Sequence, residues 1–383
     1  MANTAHRLAL GFMPLLDCAV LVAAAECGFA SQAGLDLRLV RETSWANIRD
    51  RVIVGQFNAA HMLGPMVVAS SLGVGHLQVP LLAPVALGLG GNAITVSTDL
   101  HTAMQAQGTT SKLDPRAQGE ALRRVAQARV AAGQAPLILA MVYPFSCHNY
   151  LLRYWLAASG IDPEEDVRLI VIPPPLLVDA LREHQIDGFC VGEPWNSVAV
   201  AAGVGQVVTT SMAIWPNSPE KVLGLRRDWA EANSELVVAL VHAIVRAARW
   251  CDEPGNHTEL ARLLAGPRYV GLPATLLEGA LNGVLGRHAV TPGVEAGRVI
   301  TFAAAEANCP QPHHALWFYQ QMVRWHQLAD SPDAQGQAVM SFRPDLYRAA
   351  LGELATGSAA SAVPPPDQLF DGVVVERLRA IGA

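Results

Sequence analysis

Short β-rich runs alternate with helical patterns up to about residue 228, which leaves few folds open to the chain. The strand-like runs are bounded by Gly, Pro or Asp and occupy residues 8–12, 35–40, 61–63, 79–83, 93–96, 136–141, 167–171 and 188–191. Helical patterns lie between them at residues 45–55, 116–131, 149–158 and 175–183. Repeated strand–helix units predict an α/β fold with largely parallel sheets.

The pattern changes in the last third of the chain. Helical patterns at residues 234–252, 258–264, 273–285 and 314–328 follow one another with little strand signal, and the Ser/Ala/Pro-rich stretch 357–367 predicts a surface connector. We therefore expect two α/β units followed by a helical region. A ligand cleft between the units is expected, because small-molecule sites favour domain interfaces and the carboxyl ends of strands.

The composition is that of a folded globular protein. Of the 383 residues, 51% are hydrophobic and 16% are charged, which excludes a disordered chain. The formal net charge of −6 and the lack of a long basic run argue against a nucleic-acid-binding surface. The six cysteines are scattered without a C-x-x-C pair, so we expect free buried thiols.

The N-terminal sequence bears on the cellular location. Its apolar run has one basic residue near its start, Arg7, and is interrupted by Pro14 and Asp17, which argues against a signal peptide. We expect instead a strand, a turn and a helix at about residues 17–27. Since no run of about 18 uncharged apolar residues is present, we also expect no membrane span and a cytoplasmic location.

Common catalytic motifs are absent from the sequence. The run GLGGNA at residues 88–93 falls short of G-x-G-x-x-G, and there is no P-loop, G-x-S-x-G or H-E-x-x-H motif. The adjacent residues His313 and His314 are expected to be solvated or to cap a helix, because neighbouring side chains do not share one helix face. We predict a protein that is not an enzyme and has no resident metal or cofactor.

Three segments combine a predicted strand end, a small or capping residue and a helix start. They occupy residues 43–47, with Ser44 as N-cap, residues 144–149, and residues 191–195, with Gly192 allowing close approach and Pro194 at the first helical position. Helix N-termini favour anions, because their N–H groups are unpaired and carry partial positive charge. Together the three helix starts could hold a small anion, whereas each one alone is better explained as an ordinary capped helix. By the same reasoning Lys221, which precedes a short apolar strand, is by itself expected to be an exposed lysine.

At these segments the sequence resembles the nitrate/bicarbonate-type solute-binding proteins, over about residues 7–350. The matching segments are ETSWANIRD (42–50), HNYLLRYWLAA (148–158), DGFCVGEPW (187–195) and PEKVLG (219–224), with shorter matches at 250–252, 316–318 and 324–325. The resemblance implies a two-lobed periplasmic-binding-protein fold of type II with a ligand cleft between the lobes. Lobe I would comprise residues 1–97 and 213–383, including the helical C-terminal region, and lobe II residues 98–212.

The resemblance also implies a set of ligand-binding residues. The anion would be held by Trp45, Asn92, His148, Gly192 and Lys221, with Pro174 and Val191 shaping the wall. Asn92 departs from the Gln of nitrate-binding members and is one methylene shorter. Lys221 stands where bicarbonate-binding relatives have an acidic residue that can work with a metal, so it favours nitrate or nitrite. On this assignment, Lys221→Glu or His148→Ala abolishes nitrate binding without unfolding the protein.

The expected cytoplasmic location narrows the resemblance to the nitrate/nitrite sensors of the family, the NasS type. That resemblance implies that the ligand-free form holds an ANTAR-type, NasT-like transcription antiterminator inactive and releases it when nitrate closes the lobes. The main alternative is a nitrate or bicarbonate substrate-binding component of an ABC transporter. A carrier for another oxyanion and a pyrimidine-precursor synthase, which would need a Cys/His-rich iron-binding patch, are the others.

Overall fold

A computed structural model describes residues 5–75, 77–109, 113–287, 292–352 and 367–375. The strands within these ranges are β1 (His6–Phe12), β2 (Leu35–Arg41), β3 (Ala59–Leu63), β4 (Leu81–Leu82), β5 (Leu89–Gly90), β6 (Asn92–Ser97), β7 (Leu137–Met141), β8 (Val167–Val171), β9 (Gly188–Gly192), β10 (Gly205–Thr210), β11 (Lys221–Arg226), β12 (Val284–Leu285), β13 (Val294–Glu295) and β14 (Ile300–Thr301).

The α-helices of the same ranges cover the sheets and form most of the C-terminal region. They are α1 (Ala19–Glu26), α2 (Phe29–Gln32), α3 (Trp45–Ile53), α4 (Gly64–Leu72), α5 (Thr98–Ala106), α6 (Pro115–Ala131), α7 (Cys147–Ala158), α8 (Leu177–Arg182), α9 (Trp195–Ala201), α10 (Ser211–Ile214), α11 (Arg227–Ala232), α12 (Ser234–Asp252), α13 (His257–Leu264), α14 (Ala274–Leu281), α15 (Pro312–Arg324), α16 (Pro332–Met340) and α17 (Pro344–Leu351). Short 3-10 helices occur at Leu16–Cys18, Pro174–Leu176, Pro254–Asn256 and Ala304–Glu306.

The first sheet is built from two distant parts of the chain. Its strand order is β2–β1–β3–β11–β4. Strand β1 lies parallel to β2 and β3, whereas β11 is antiparallel to β3 and β4. Because β11 follows the whole second sheet in sequence, the chain leaves the first sheet after β4 and returns to it.

The second sheet has the strand order β10–β6–β9–β7–β8. Strand β7 is parallel to β8 and β9, and β6 runs antiparallel to both β9 and β10. The predicted lobe boundary after residue 97 puts β6 in lobe I, but its pairing places it in the second sheet. The local pattern of a strand does not reveal which strand it pairs with. The lobe boundary stays a prediction, and it differs from the division between the two sheets in the placement of β6.

The predicted α/β class is confirmed, and the eight predicted strands correspond to β1–β4 and β6–β9. The predicted helix at residues 273–285 is wrong at its C-terminal end, because α14 stops at Leu281 and β12 follows. The stop lies at Gly283, whose φ of +77° and close approach to the Gly297 carbonyl oxygen leave no room for a side chain. Of the predicted connector at 357–367, residues 357–366 lie outside the described residues.

Two further predictions concern the thiols and the membrane. All six cysteines are free, as predicted, and five of them are buried, whereas Cys27 is half-buried. Within the described ranges, no helix has the length and apolar character needed to cross a bilayer.

Candidate functional site

Lys221 is buried at the start of β11, although by itself it is expected to be an exposed lysine. Its side chain is 1% exposed. The Nζ atom lies 2.9 Å from Asp17 Oδ2 and 2.6 Å from Glu220 Oε1, and 5.4 Å from the centre of the Trp45 ring. Burial disfavours the charged ammonium, but the two carboxylates outweigh burial and raise the pKa of Lys221, so the side chain stays cationic.

Asp17 brings the loop after β1 to this lysine. It lies in the 3-10 helix Leu16–Cys18 and is buried. Its Oδ1 atom lies 3.0 Å from His61 Nε2, while His61 Nδ1 accepts a hydrogen bond from the Met13 N–H at 3.3 Å. Burial opposes ionisation of Asp17, yet Lys221 and His61 lower its pKa below the ordinary aspartate value, so it is a carboxylate. The pKa of His61 is lowered by burial, which keeps this imidazole neutral.

Two capped helix starts place aromatic N–H groups beside the lysine. The Ser44 hydroxyl accepts from the Asn47 N–H at the start of α3, whose first residue is Trp45, and the Ser146 hydroxyl accepts from the Asn149 N–H at the start of α7, which carries His148. Both aromatic side chains are buried. Neither Trp45 Nε1 nor either ring nitrogen of His148 has a hydrogen-bond partner among the described residues.

His148 is held neutral in this environment. Burial, reinforced by the positive charge of Lys221, moves its pKa well below the ordinary histidine value. Its Nδ1 atom lies 4.0 Å from Glu220 Oε1. A neutral imidazole has one N–H donor, so His148 can donate one hydrogen bond to a ligand.

The second sheet contributes Asn92 and Gly192 to the same cluster, and the part of Val191 in the wall stays a prediction. Asn92 on β6 is directly paired with Gly192 on β9, and Val191 precedes it in that strand. The Asn92 side-chain amide donates to Glu220 Oε2, and its contact with a ligand stays a prediction. A Cβ atom on Gly192 would lie 3.3 Å from Asn92 Oδ1, so the missing side chain keeps this approach open.

The Glu220 carboxylate lies where the donors meet. Its Oε1 atom accepts a hydrogen bond from the Lys221 ammonium, and its Oε2 atom accepts one from the Asn92 amide. Burial raises the pKa of Glu220, and the neighbouring Lys221 only partly offsets this effect. With both carboxylates ionised, Asp17, Glu220 and Lys221 carry a net charge of −1.

The structure therefore joins Trp45, Asn92, His148, Gly192 and Lys221, but it changes other details of the sequence assignment. Pro194 is the N-cap of α9, and the helix begins at Trp195 rather than at the proline. Pro174 is buried at the start of a 3-10 helix before α8, and its part in the wall remains a prediction.

The sequence reasoning missed the acidic half of the cluster and His61. Asp17 gave a signal, since a carboxylate interrupting an apolar run is costly to bury without a partner. Glu220 lies inside the matching segment PEKVLG and was given no role. His61 sits within a short buried strand and carries no local signal of its contact with Asp17.

Contributions from both sheets define this cluster as an inter-lobe site of the two-lobed periplasmic-binding-protein fold. Asp17, Trp45, His61 and Lys221 come from the first sheet and its loops, and Asn92, His148 and Gly192 from the second. The Leu16 N–H also donates across the junction to the Glu193 carbonyl at 2.7 Å. The chain belongs to the NMT1-like family, which it matches over residues 2–265.

Curated relatives and solved structures place the chain within this fold. Nitrate/nitrite binding protein NrtA of Synechococcus elongatus is 32% identical, with 96% of this chain and 83% of that protein covered. The periplasmic nitrate-binding protein NrtA from Synechocystis PCC 6803 has a crystal structure that matches with a TM-score of 0.84 at 28% identity, covering 96% of this chain and 94% of that one.

A second set of relatives is longer than the chain. The nitrate import ATP-binding protein NrtC of Synechocystis is 35% identical over 96% of this chain but only 53% of its own length. The bicarbonate transport ATP-binding protein CmpC of Synechococcus elongatus is 35% identical over 96% of this chain and 52% of its own. The chain thus spans about half the length of these relatives.

Proposed function

We propose that the chain binds a small, planar, singly charged oxyanion, nitrate or nitrite, in the buried cluster between its lobes. The observation that carries the proposal is the presence beside the Lys221 ammonium of buried N–H donors, at Trp45 and His148, that have no partner in the described parts of the chain. A buried donor left unpaired costs about 1–3 kcal/mol. An anion that accepts from these groups removes that cost, and the relatives named as nitrate-binding proteins support this ligand class.

The donor set suits a weakly hydrated monoanion. A hydrogen bond from a charged group contributes about 1.5–3 kcal/mol, and micromolar affinity requires about 8 kcal/mol. Lys221, Trp45, His148 and the Asn92 amide together reach that range in a site closed to water. Bicarbonate would find a lysine at the position where, by the resemblance above, its own binding proteins have an acid.

Glu220 has to respond when the anion enters. Its carboxylate already accepts hydrogen bonds from Lys221 and Asn92, and a further anion beside the two ionised carboxylates would change the local charge from −1 to −2. Such repulsion in a buried site is severe, because the surroundings screen charge poorly. We propose that nitrate accepts the hydrogen bonds of Lys221 and Asn92 in place of Glu220. The Glu220 side chain then either moves away or takes up a proton.

Calorimetric titration of the apo protein with nitrate, nitrite and bicarbonate tests the ligand class. We expect nitrate or nitrite to bind and His148→Ala to weaken binding at least tenfold. His257→Ala is the matched control, since this histidine is also buried but bonds to Asn282 in the helical region. Circular dichroism checks the fold of both variants. Equal nitrate affinity in wild type and His148→Ala would overturn the assigned site, and binding of bicarbonate alone would overturn the ligand.

For the biological role we propose the substrate-binding component of an ABC transporter. The relatives are named as import proteins or as periplasmic binding proteins, which favours delivery of the anion over catalysis or gene regulation. The cytoplasmic sensor with a NasT-like partner remains a prediction from the resemblance. Cell fractionation separates the two, since a sensor remains in the cytoplasm and co-elutes with the antiterminator only when nitrate is absent.

A further inference from the structure

We propose that His313, His314 and Asp367 form a binding site for a divalent transition-metal ion of the zinc type. The two histidines lie in the first turn of α15. Asp367 begins the described segment 367–375, which we name the C-terminal strap. One ligand atom from each residue can be chosen so that all three lie within 4.8 Å of one another. The set shares no residue with the anion cluster, so the inference does not depend on the ligand proposed above.

The geometry lies close to that of a zinc site. His313 Nε2 is 2.7 Å and His314 Nε2 is 3.9 Å from Asp367 Oδ2. In a tetrahedral site with metal–ligand bonds of about 2.0–2.1 Å, neighbouring ligand atoms are about 3.3 Å apart. Each observed distance differs from that spacing by about 0.6 Å, which small side-chain rotations can supply. Two imidazoles and a carboxylate are also the ligand types that zinc prefers alongside thiolates.

The burial of the histidines contradicts the expectation that they are solvated or cap the helix. Both are 7% exposed, and their ring centres are 4.3 Å apart although they are adjacent in sequence. They converge because both rings turn towards Asp367. The Trp215 ring packs edge-on against His314 at 5.8 Å, which limits rotation of that imidazole. Ligands held in place before the ion arrives lose less entropy when they bind it.

The charge balance permits a cation at this helix start. The partial positive charge at the N-terminus of α15 opposes a metal ion. The full negative charge of the Asp367 carboxylate offsets it, and neutral imidazoles add no repulsion. Two neutral ligands and one anionic ligand leave a fourth position for water, as in open zinc sites.

A metal here would fix the C-terminal strap to both lobes. The strap is already bonded beyond α15, because the Phe370 N–H donates to the Ile214 carbonyl and the Tyr154 hydroxyl donates to Asp371. Tyr154 belongs to α7, which packs against the second sheet, whereas α15 packs on α4 beside the first sheet. An ion joining Asp367 to α15 would therefore strengthen a connection that spans the junction.

The test uses the full chain, stripped with a chelator and titrated with Zn²⁺ and with Co²⁺. We expect one ion per chain by calorimetry and visible d–d absorption from bound Co²⁺ without a thiolate-to-cobalt charge-transfer band, which excludes the cysteines as ligands. Asp367→Asn and His314→Ala should each weaken binding at least tenfold. His6→Ala and His184→Ala, which remove exposed histidines, should bind as wild type.

Three results of these titrations would contradict the metal site. Absence of stoichiometric binding overturns the site, as does equal affinity in Asp367→Asn and wild type or an equal loss in the control variants. If His314→Ala fails to fold, Asp367→Asn remains decisive, because it replaces one carboxylate oxygen by an amide in a partly exposed side chain. A zinc-dependent decrease in hydrogen exchange at the amides of residues 368–375 gives a second readout that nitrate affinity does not influence.

Discussion

At the scale of single residues, the burial of Lys221 between two carboxylates decides how its role can be tested. Removing one partner of a buried ion pair typically costs about 3–5 kcal/mol, because the other charge is left uncompensated. The sequence-based expectation that Lys221→Glu leaves the fold intact is therefore revised, since that variant would bury three acidic groups together. The His148 side chain forms no hydrogen bond among the described residues, so its replacement tests ligand binding with less disturbance of the fold.

Glu220 leads to a prediction about acidity and affinity. Under the proposed function, its carboxylate would compete with nitrate for Lys221 and Asn92, and burial raises its pKa above the ordinary glutamate value. The protonated form favours the anion, so nitrate affinity should be highest below this raised pKa and fall by up to tenfold per pH unit above it. Glu220→Gln should bind nitrate at least tenfold more tightly than wild type above that pKa and show a flat pH profile. Calorimetry from pH 5 to 9 measures both effects.

The groups around Glu220 supply the controls for this pH profile. Asp17 and Lys221 face it and keep their charges in this range, His148 stays neutral, and burial raises the pKa of Glu193 to about 7. Glu193 has no contact with Lys221 among the ion pairs described, so Glu193→Gln should keep the wild-type slope. A flat pH profile in Glu193→Gln, or an unchanged slope in Glu220→Gln, would show that Glu220 is not the group whose protonation controls nitrate affinity.

At the scale of secondary-structure elements, the helix caps are expected to position the donors. The Ser146 cap fixes the first turn of α7 and with it His148. Ser146→Ala should cost about 1 kcal/mol of stability and also weaken nitrate binding several-fold, because the imidazole loses its fixed position. Ser331→Ala removes an equivalent cap from α16, a helix that contributes no residue to the cluster. Its stability loss should be similar, with nitrate affinity unchanged, as measured by thermal melting and calorimetry on both variants.

Elements were predictable from sequence where the signal is local. Strand β8 and helix α12 have the predicted bounds, and the Ser44 cap lies where its sequence indicates, because residue type and periodicity act over a few residues. Strand β10 was missed, and the pairing of β6 with β9 and β10 was not foreseen, because pairing depends on segments far away in the chain. Residue patterns alone left Lys221 exposed for the same reason, since Asp17 lies about two hundred residues earlier in sequence, and only the family resemblance placed this lysine in the cleft.

At the scale of the whole molecule, the cluster is closed off from solvent. Trp45, His148 and Lys221 are all buried. A backbone hydrogen bond from Leu16 to Glu193 also connects the two lobes. A ligand can enter such a site only if the lobes separate or the side chains that cover it move. The structure thus represents the closed arrangement, and the binding free energy includes the cost of opening and closing the junction.

Lobe motion gives the last prediction. We expect the ligand-free chain to sample open arrangements and nitrate to shift it towards the closed one, because the donors from the two lobes meet only there. A compact chain of 383 residues has a radius of gyration of about 21 Å. Small-angle scattering should give a larger radius without nitrate and approach that value with it, whereas His148→Ala should not respond. A radius unaffected by nitrate in a protein that binds it by calorimetry would contradict closure, and the anion would then have to reach the cluster by local movement of side chains.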